Sequence, residues 1–223
     1  MGLRLALYSD QVIPANARMD LRLLQLIGVE HPRIGYISSA PDPSRAFFSA
    51  KKSYYAALGA ELCHYVDSEN IAEDGMLTDL LECDAVQLTG GNTYTFLAWL
   101  QRREVIPSLR DYARNRGTLV GTSAGAILMS PNIAIASISP HPRPPAMHSL
   151  NALDLVPFHF WPHYQPGQEA GPRESLFLSS TAVVYACPDG AGVIVDGDVV
   201  ECIGPVKVFR YGRLDRLQRR CFS

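Results

Sequence analysis

Thr118-Leu119-Val120-Gly121-Thr122-Ser123-Ala124-Gly125-Ala126 is the stretch on which the reading of this chain turns. Thr118 to Gly121 has the apolar, β-branched character of a buried strand. It runs into a turn bounded by glycines, and the small residues after Ser123 open a helix. A strand delivered straight into a helix through a tight turn is the building unit of an α/β sheet. At such a turn a serine hydroxyl is exposed, and the glycines let neighbouring backbone pass where a side chain would collide.

The same alternation continues outward in both directions. Upstream, Leu3 to Ser9, Arg33 to Ser38, Ala60 to Val66 and Ala85 to Leu88 read as strands. Met19 to Gly28, Arg45 to Gly59, Met76 to Leu81, Thr93 to Leu100 and Val105 to Asn115 read as helices, with Gly28 and Gly59 as helix ends. The pattern implies a mostly parallel sheet with helices on both faces. Ligands of such sheets bind beyond the carboxyl ends of the strands. Gly90-Gly91 and Gly121 to Gly125 both fall there. Downstream the character changes. Ser137 to Pro145 is too proline-rich for regular structure and reads as a loop. Ala182 to Cys187 is a strand. Asp196-Gly197, between the apolar runs of Gly192 to Ile203, signals a hairpin. Val206 to Leu214 supplies a further strand pair around Tyr211-Gly212. These late hairpins read as an extension of one domain covering residues 1–223.

Composition narrows the class. The chain has 223 residues, 47% apolar and 19% charged, with a formal net charge of −2. That suits a single globular domain with a real core. A nucleic-acid partner has no electrostatic support. No apolar run approaches the roughly 18 residues of a membrane span, and the start lacks the features of a secretory signal. The five cysteines, Cys63, Cys83, Cys187, Cys202 and Cys221, are scattered, without CxxC spacing. They read as reduced residues of a cytoplasmic protein rather than a zinc site or a disulfide framework.

Gly121-x-Ser123-x-Gly125 is a candidate nucleophile turn. Its competitor is a serine that only caps a helix. The N–H of Ala124 could donate to a developing oxyanion. Gly90-Gly91-Asn92-Thr93 could turn further backbone N–H groups toward the same cavity, or could be a plain turn opening a helix. Neither GxGxxG nor a Walker pattern is present, so no nucleotide cofactor is implied. A serine nucleophile needs a base. Of the six histidines, His31 and His64 read as structural, and His141 and His148 fall in or beside the proline-rich loop. His159 and His163, in Phe158-His159-Phe160-Trp161-Pro162-His163-Tyr164, sit among aromatics whose partial desolvation would keep an imidazole neutral. Local sequence leaves these two open. It also leaves open the carboxylate that would orient the base: Asp189 after a strand, with Asp154 and Glu174 as competitors. HExxH-like spacing is absent, so no metal is expected.

Taken in order, Gly90-Gly91-Asn92-Thr93, Gly121 to Ala126, Ala152-Leu153-Asp154-Leu155 leading to Pro162-His163-Tyr164, and Pro188-Asp189-Gly190 resemble the peptidase E family of aspartyl dipeptidases, serine peptidases that include the cyanophycinases. The resemblance covers nearly the whole chain. It implies a fold like that of the class I glutamine amidotransferases, a flavodoxin-like α/β sheet. It implies Ser123 as nucleophile, His163 as base, Asp189 as acid where the family carries glutamate, and Gly91 and Ala124 as oxyanion donors. Arg173, in Pro172-Arg173-Glu174, would pair with a substrate carboxylate, and Asn92 would line the same site. The expected activity is cofactor-free and metal-free hydrolysis of a small peptide after its first residue. A homodimer is also implied. Departures surround the substrate: the segment from His163 to Arg173 is short, and Pro140-His141-Pro142-Arg143 replaces the family's Asn-Asp-Met-Pro element. Altered specificity, a cyanophycinase-like isopeptidase, or a non-catalytic binding protein on the same fold are the alternatives.

Overall fold

Alternation along the first strand, β1 (Arg4–Tyr8), shows how one sheet serves two cores. Leu5 and Leu7 pack into one apolar cluster, and Ala6 and Tyr8 into a second on the opposite face, as the period-2 geometry of a strand requires. A computed structural model describes residues 2–70, 75–115, 117–139, 141–144, 147, 149–181 and 183–215. The readings placed on Pro140, Pro145, His148, Ala182 and Cys221 lie outside the described residues.

After β1 come α1 (Ala17–Ile27), β2 (Arg33–Ser38), α2 (Ala46–Ala57), β3 (Glu61–Asp67), α3 (Met76–Leu81), β4 (Ala85–Leu88), α4 (Thr93–Arg102), α5 (Ile106–Asn115), β5 (Thr118–Thr122) and α6 (Ala124–Ile127). The expected alternation is present throughout. α1 ends where Gly28 takes a left-handed conformation, φ 72°, and returns its N–H to the Leu24 carbonyl. Met19, Leu23, Leu26 and Ile27 of α1, with Tyr54 and Tyr55 of α2, cover one face of the sheet. Phe96, Leu97 and Leu100 of α4, with Leu109 and Tyr112 of α5, cover the other.

The later elements are β6 (His159–Trp161), α7 (Pro172–Ser180), β7 (Val183–Ala186), β8 (Gly192–Asp196), β9 (Val199–Ile203), β10 (Lys207–Arg210) and β11 (Arg213–Asp215). The main sheet runs β3-β2-β4-β5-β1-β8-β9. Its first five strands are parallel, and β8 and β9 add an antiparallel edge. The hairpin at Asp196-Gly197 forms, with its two-residue turn at Gly197-Asp198 and Gly197 at φ 60°.

The other late strands, including the expected pair around Tyr211-Gly212, form a second sheet, β11-β10-β7-β6. Its strand β6 is three residues, too short to carry an alternation signal. β6 and β7 are parallel, with Trp161 level with Ala186. Their carboxyl ends therefore finish side by side. The proline-rich segment opens with a 3-10 turn, Ala134–Ile138, and residues 141–144 follow without regular structure. Among the described residues, no helix is long and apolar enough to cross a membrane.

Candidate active site

Every residue of β5 is buried, and the turn that follows is held from three sides. Ser123 N–H donates to the Tyr8 carbonyl at 3.0 Å, extending the β1–β5 ladder by one bond. Gly125 N–H donates to the Thr89 carbonyl at 3.0 Å, and Ile127 N–H to the Ser123 carbonyl at 3.0 Å. A Cβ on Gly125 would stand 2.2 Å from the Leu88 carbonyl oxygen, and one on Gly121 would stand 2.6 Å from the backbone of Gly125 and Ala126. Only glycines allow this approach. Between them Ser123 sits at φ 51°, ψ −108°. An L residue in sparsely populated backbone space costs about 1–3 kcal/mol, here offset by the surrounding bonds. The helix is a single turn, Ala124–Ile127. Any anion stabilisation here therefore comes from individual N–H groups and not from a long helix dipole.

The second sheet brings the remaining groups. Pro162-His163 follows β6, and Pro188-Asp189 follows β7. Cys187 N–H donates to Trp161 O at 2.8 Å and Tyr164 N–H to Cys187 O at 3.1 Å, so the two strand ends stay laced together past the ladder. His163 takes φ 55° and turns back toward Ser123. Ser123 Oγ lies 2.8 Å from His163 Nε2, and His163 Nδ1 lies 2.7 Å from Asp189 Oδ1. A carboxylate only accepts, so Nδ1 carries the proton and Nε2 is left to accept from the serine hydroxyl.

Ser9 completes the arrangement, and sequence reasoning missed it. Its hydroxyl accepts the backbone N–H of His163 at 2.7 Å and donates to Asp189 Oδ1 at 3.0 Å. Ser9 is fully buried at the carboxyl end of β1. Nothing local marks it, since the partners are 154 and 180 residues away. Asp10 is beside it. Ligand atoms of Asp10, His163 and Asp189 all lie within 4.8 Å of one another, a spacing that a cation could use. Both ring nitrogens of His163 are already engaged, so the geometry suits proton transfer better than coordination.

The two histidines left open by the sequence separate clearly. His159 lies within β6, its ring edge-on to Phe177, and burial lowers its pKa. His163 is about half exposed, as is Asp189. The desolvation expected for an imidazole in this aromatic run therefore falls on His159, while His163 faces the turn at Ser123. Among the described residues, Asp154 and Glu174 make no hydrogen bond to His163.

Gly90 and Gly91 lie against the same turn. A Cβ on Gly90 would sit 3.5 Å from Ser123 Cβ, and Gly91, at φ 131°, has no room for one because Ser39 Oγ would be 2.2 Å away. Among the described residues, no backbone hydrogen bond takes up the N–H of Gly91 or of Ala124. Asn92 is occupied at both ends: its Oδ1 accepts from the N–H groups of Tyr94 and Thr95, capping α4, and its Nδ2 donates to the Pro142 carbonyl at 2.9 Å. The loop around Pro142 is thereby docked onto the glycine turn. Arg173 is exposed in the first turn of α7. A concavity of about 360 Å³ lined by Asn132, His159 and Phe177 includes none of Ser123, His163 or Asp189.

Sequence and fold comparisons agree on the company this chain keeps. The sequence model of peptidase family S51 matches residues 6–203. Peptidase E of Haemophilus influenzae (strain PittGG) is 29% identical over 136 residues, covering 56% of this chain and 57% of that protein. Peptidase E of Shewanella denitrificans is 28% identical over 168 residues, covering 71% of this chain and 68% of the relative. The matched stretch is thus a little over half to two-thirds of these relatives' length. Among solved structures, a candidate peptidase E protein from Listeria monocytogenes superposes with a TM-score of 0.72 at 22% identity, covering 91% of this chain and 98% of that one. A peptidase from an acI-B1 Actinobacterium also gives 0.72, at 16% identity, covering 97% and 94%.

Proposed function

The chain belongs to peptidase family S51, and on that premise we propose that it is a serine hydrolase cleaving dipeptides or short peptides after the N-terminal residue. The observation that carries the reading is the unbroken line from Ser123 Oγ through both nitrogens of His163 to Asp189 Oδ1, at 2.8 and 2.7 Å. In this reading His163 Nε2 takes the hydroxyl proton as Ser123 Oγ attacks the carbonyl carbon of the first residue. Asp189 holds the imidazole in the accepting tautomer and stabilises the imidazolium that forms. The N–H groups of Gly91 and Ala124 receive the developing oxyanion. His163 then returns its proton to the leaving amine, which departs and leaves an acyl-enzyme on Ser123. Water attacks that ester with His163 again as base, releasing the first residue and restoring the hydroxyl.

Aspartate preference is the finer part of the proposal. Arg173 is exposed and, among the described residues, makes no ion pair. A guanidinium in that state can take a carboxylate bidentately. Asn92, already bonded on both sides, supports the wall of the site rather than the substrate.

Hydrolysis of a panel of dipeptides differing in the first residue tests both levels. Ser123→Ala should lower kcat by about 1,000-fold or more on every substrate, with an unchanged melting temperature. Undiminished turnover would reject the nucleophile. Arg173→Met should raise KM for Asp-X peptides well above any change for neutral ones. Equal effects on both would remove Arg173 from substrate recognition.

A further inference from the structure

Cys63 and Cys83, twenty residues apart with no motif between them, meet in the fold with their sulfurs 3.4 Å apart. The cause is a register shift. β2 pairs with β3 as Ile34↔Leu62 and then Tyr36↔Tyr65, so the single residue Gly35 faces both Cys63 and His64. A bulge of this kind re-aims the side chains of the longer strand. Here Cys63 Sγ, a ring nitrogen of His64 and Cys83 Sγ all fall within 4.8 Å of one another. Gly35 leaves the room: a Cβ there would stand 2.8 Å from the Leu80 side chain and 3.5 Å from Cys83 Sγ. The scattered cysteines of the sequence thus include one close pair.

The pair is asymmetric. Cys83 is buried at the turn between α3 and β4, and Cys63 is half-buried on β3. The Arg33 guanidinium lies 3.1 Å from His64 Nε2, so positive charge stands beside Cys63. As a thiol, Cys63 can donate to the Ile34 carbonyl at 3.4 Å; as a thiolate, it accepts the S–H of Cys83. That hydrogen bond, with His64 and Arg33 adding to it, lowers Cys63 to a pKa of about 6. The same hydrogen bond, with burial, pushes Cys83 up. Low-pKa thiolates in electropositive surroundings are the reactive ones. Arg33 also weighs against a metal, since its guanidinium already engages His64 Nε2 and adds positive charge beside the cluster.

We propose that Cys63 and Cys83 form an oxidant-responsive dithiol in which the Cys63 sulfur attacks hydrogen peroxide and Cys83 resolves the product as a disulfide. The Cys63 thiolate attacks a peroxide oxygen, the O–O bond breaks, and the departing hydroxide takes a proton to leave as water, giving Cys63–SOH. Cys83 sulfur then attacks Cys63 sulfur, the S–O bond breaks, and the Cys83 proton leaves with that oxygen as a second water. Two thiols are oxidised and one peroxide is reduced. The site is separate from Ser123 and stands whether or not the chain is a peptidase.

The test uses the full-length reduced protein, treated with hydrogen peroxide, blocked with N-ethylmaleimide and digested without reductant for mass spectrometry. The expected result is the loss of two thiols per chain and a Cys63–Cys83 cross-linked peptide, reversed by dithiothreitol. Cys63→Ser abolishes the cross-link, and Cys83→Ser leaves a sulfenic acid on Cys63 that dimedone captures. In a separate measurement, Cys63 should react with iodoacetamide at pH 7 about 50-fold faster than Cys202, the balance of thiolate fraction against intrinsic nucleophilicity; partial desolvation of the thiol and the neighbouring Glu201 carboxylate raise Cys202 to about 11. Oxidation falling first on another cysteine, or equal alkylation of Cys63 and Cys202, overturns the proposal. So does stoichiometric zinc that survives dialysis and masks both thiols, which would assign the cluster to a metal.

Discussion

Replacing Ser9 by alanine removes one hydroxyl from a fully buried position and leaves the peptide chain otherwise unchanged. The magnitude follows from what that hydroxyl holds. It accepts from His163 N–H at 2.7 Å and donates to Asp189 Oδ1 at 3.0 Å. Losing the first leaves a partly buried donor without its acceptor, and losing the second removes a hydrogen bond to a carboxylate. Together these cost about 2 kcal/mol after allowing for water reaching the half-exposed side of the site. For a domain of this size each kcal/mol is worth about 2–4 °C in Tm, so Ser9→Ala should melt about 4–8 °C lower. Asp189 keeps its bond to His163 but loses one of the contacts that set its direction. Misplacement of an orienting group shows in the chemical step, so kcat should fall about tenfold with KM nearly constant. Calorimetry and steady-state kinetics on one peptide substrate measure both. A variant with wild-type Tm and wild-type kcat would refute the role assigned to Ser9. A fall in Tm with no change in kcat would confine it to structure.

Two further perturbations probe the scaffold. Gly125→Ala would drive a methyl to 2.2 Å from the Leu88 carbonyl oxygen, a backbone atom that cannot swing aside. The expected cost is about 3 kcal/mol or a shift of the Ser123 turn, read as a drop in Tm of about 6–12 °C together with lost turnover; a neutral substitution would mean that the turn is looser than described. Glu169 lies between Tyr164 OH and Lys207 Nζ, and these partners, Tyr164 first, hold its carboxyl at about 2. A folded pKa below the unfolded one stabilises at higher pH and is lost as pH falls through the folded value. Glu169→Gln should therefore lower Tm by about 2–4 °C above pH 5, a surface pair being worth about 1 kcal/mol, and the gap should close toward pH 2. A gap that stays constant with pH would contradict the assignment.

The parts of this fold that the sequence announces are those whose signals are local. A strand such as Thr118 to Thr122 is buried on both sides and is marked by Leu119-Val120 beside β-branched threonine, and Gly28 marks the end of α1 because the helix needs a left-handed residue there. The glycines around Ser123 are legible for the same reason: the turn demands them where they stand. The second sheet is not legible, since β6 is three residues of an aromatic run and its identity as a strand depends on β7 beside it. That sheet is what separates His163 from His159, so in the sequence only family resemblance, and not spacing, distinguishes them. Ser9 is invisible for a related reason, because its partners arrive from strands far along the chain. Cys63 and Cys83 required a bulge in β3, and register is set by pairing that no single strand contains.

Covalent capture of the nucleophile tests the central claim most directly. The protein is incubated with a fluorophosphonate and the intact mass and labelled peptide are recorded. The account predicts one adduct per chain, carried on Ser123, absent in Ser123→Ala and slowed about 100-fold or more in His163→Ala, where the general base is missing. Labelling that survives Ser123→Ala, or that proceeds at the wild-type rate without His163, would contradict it.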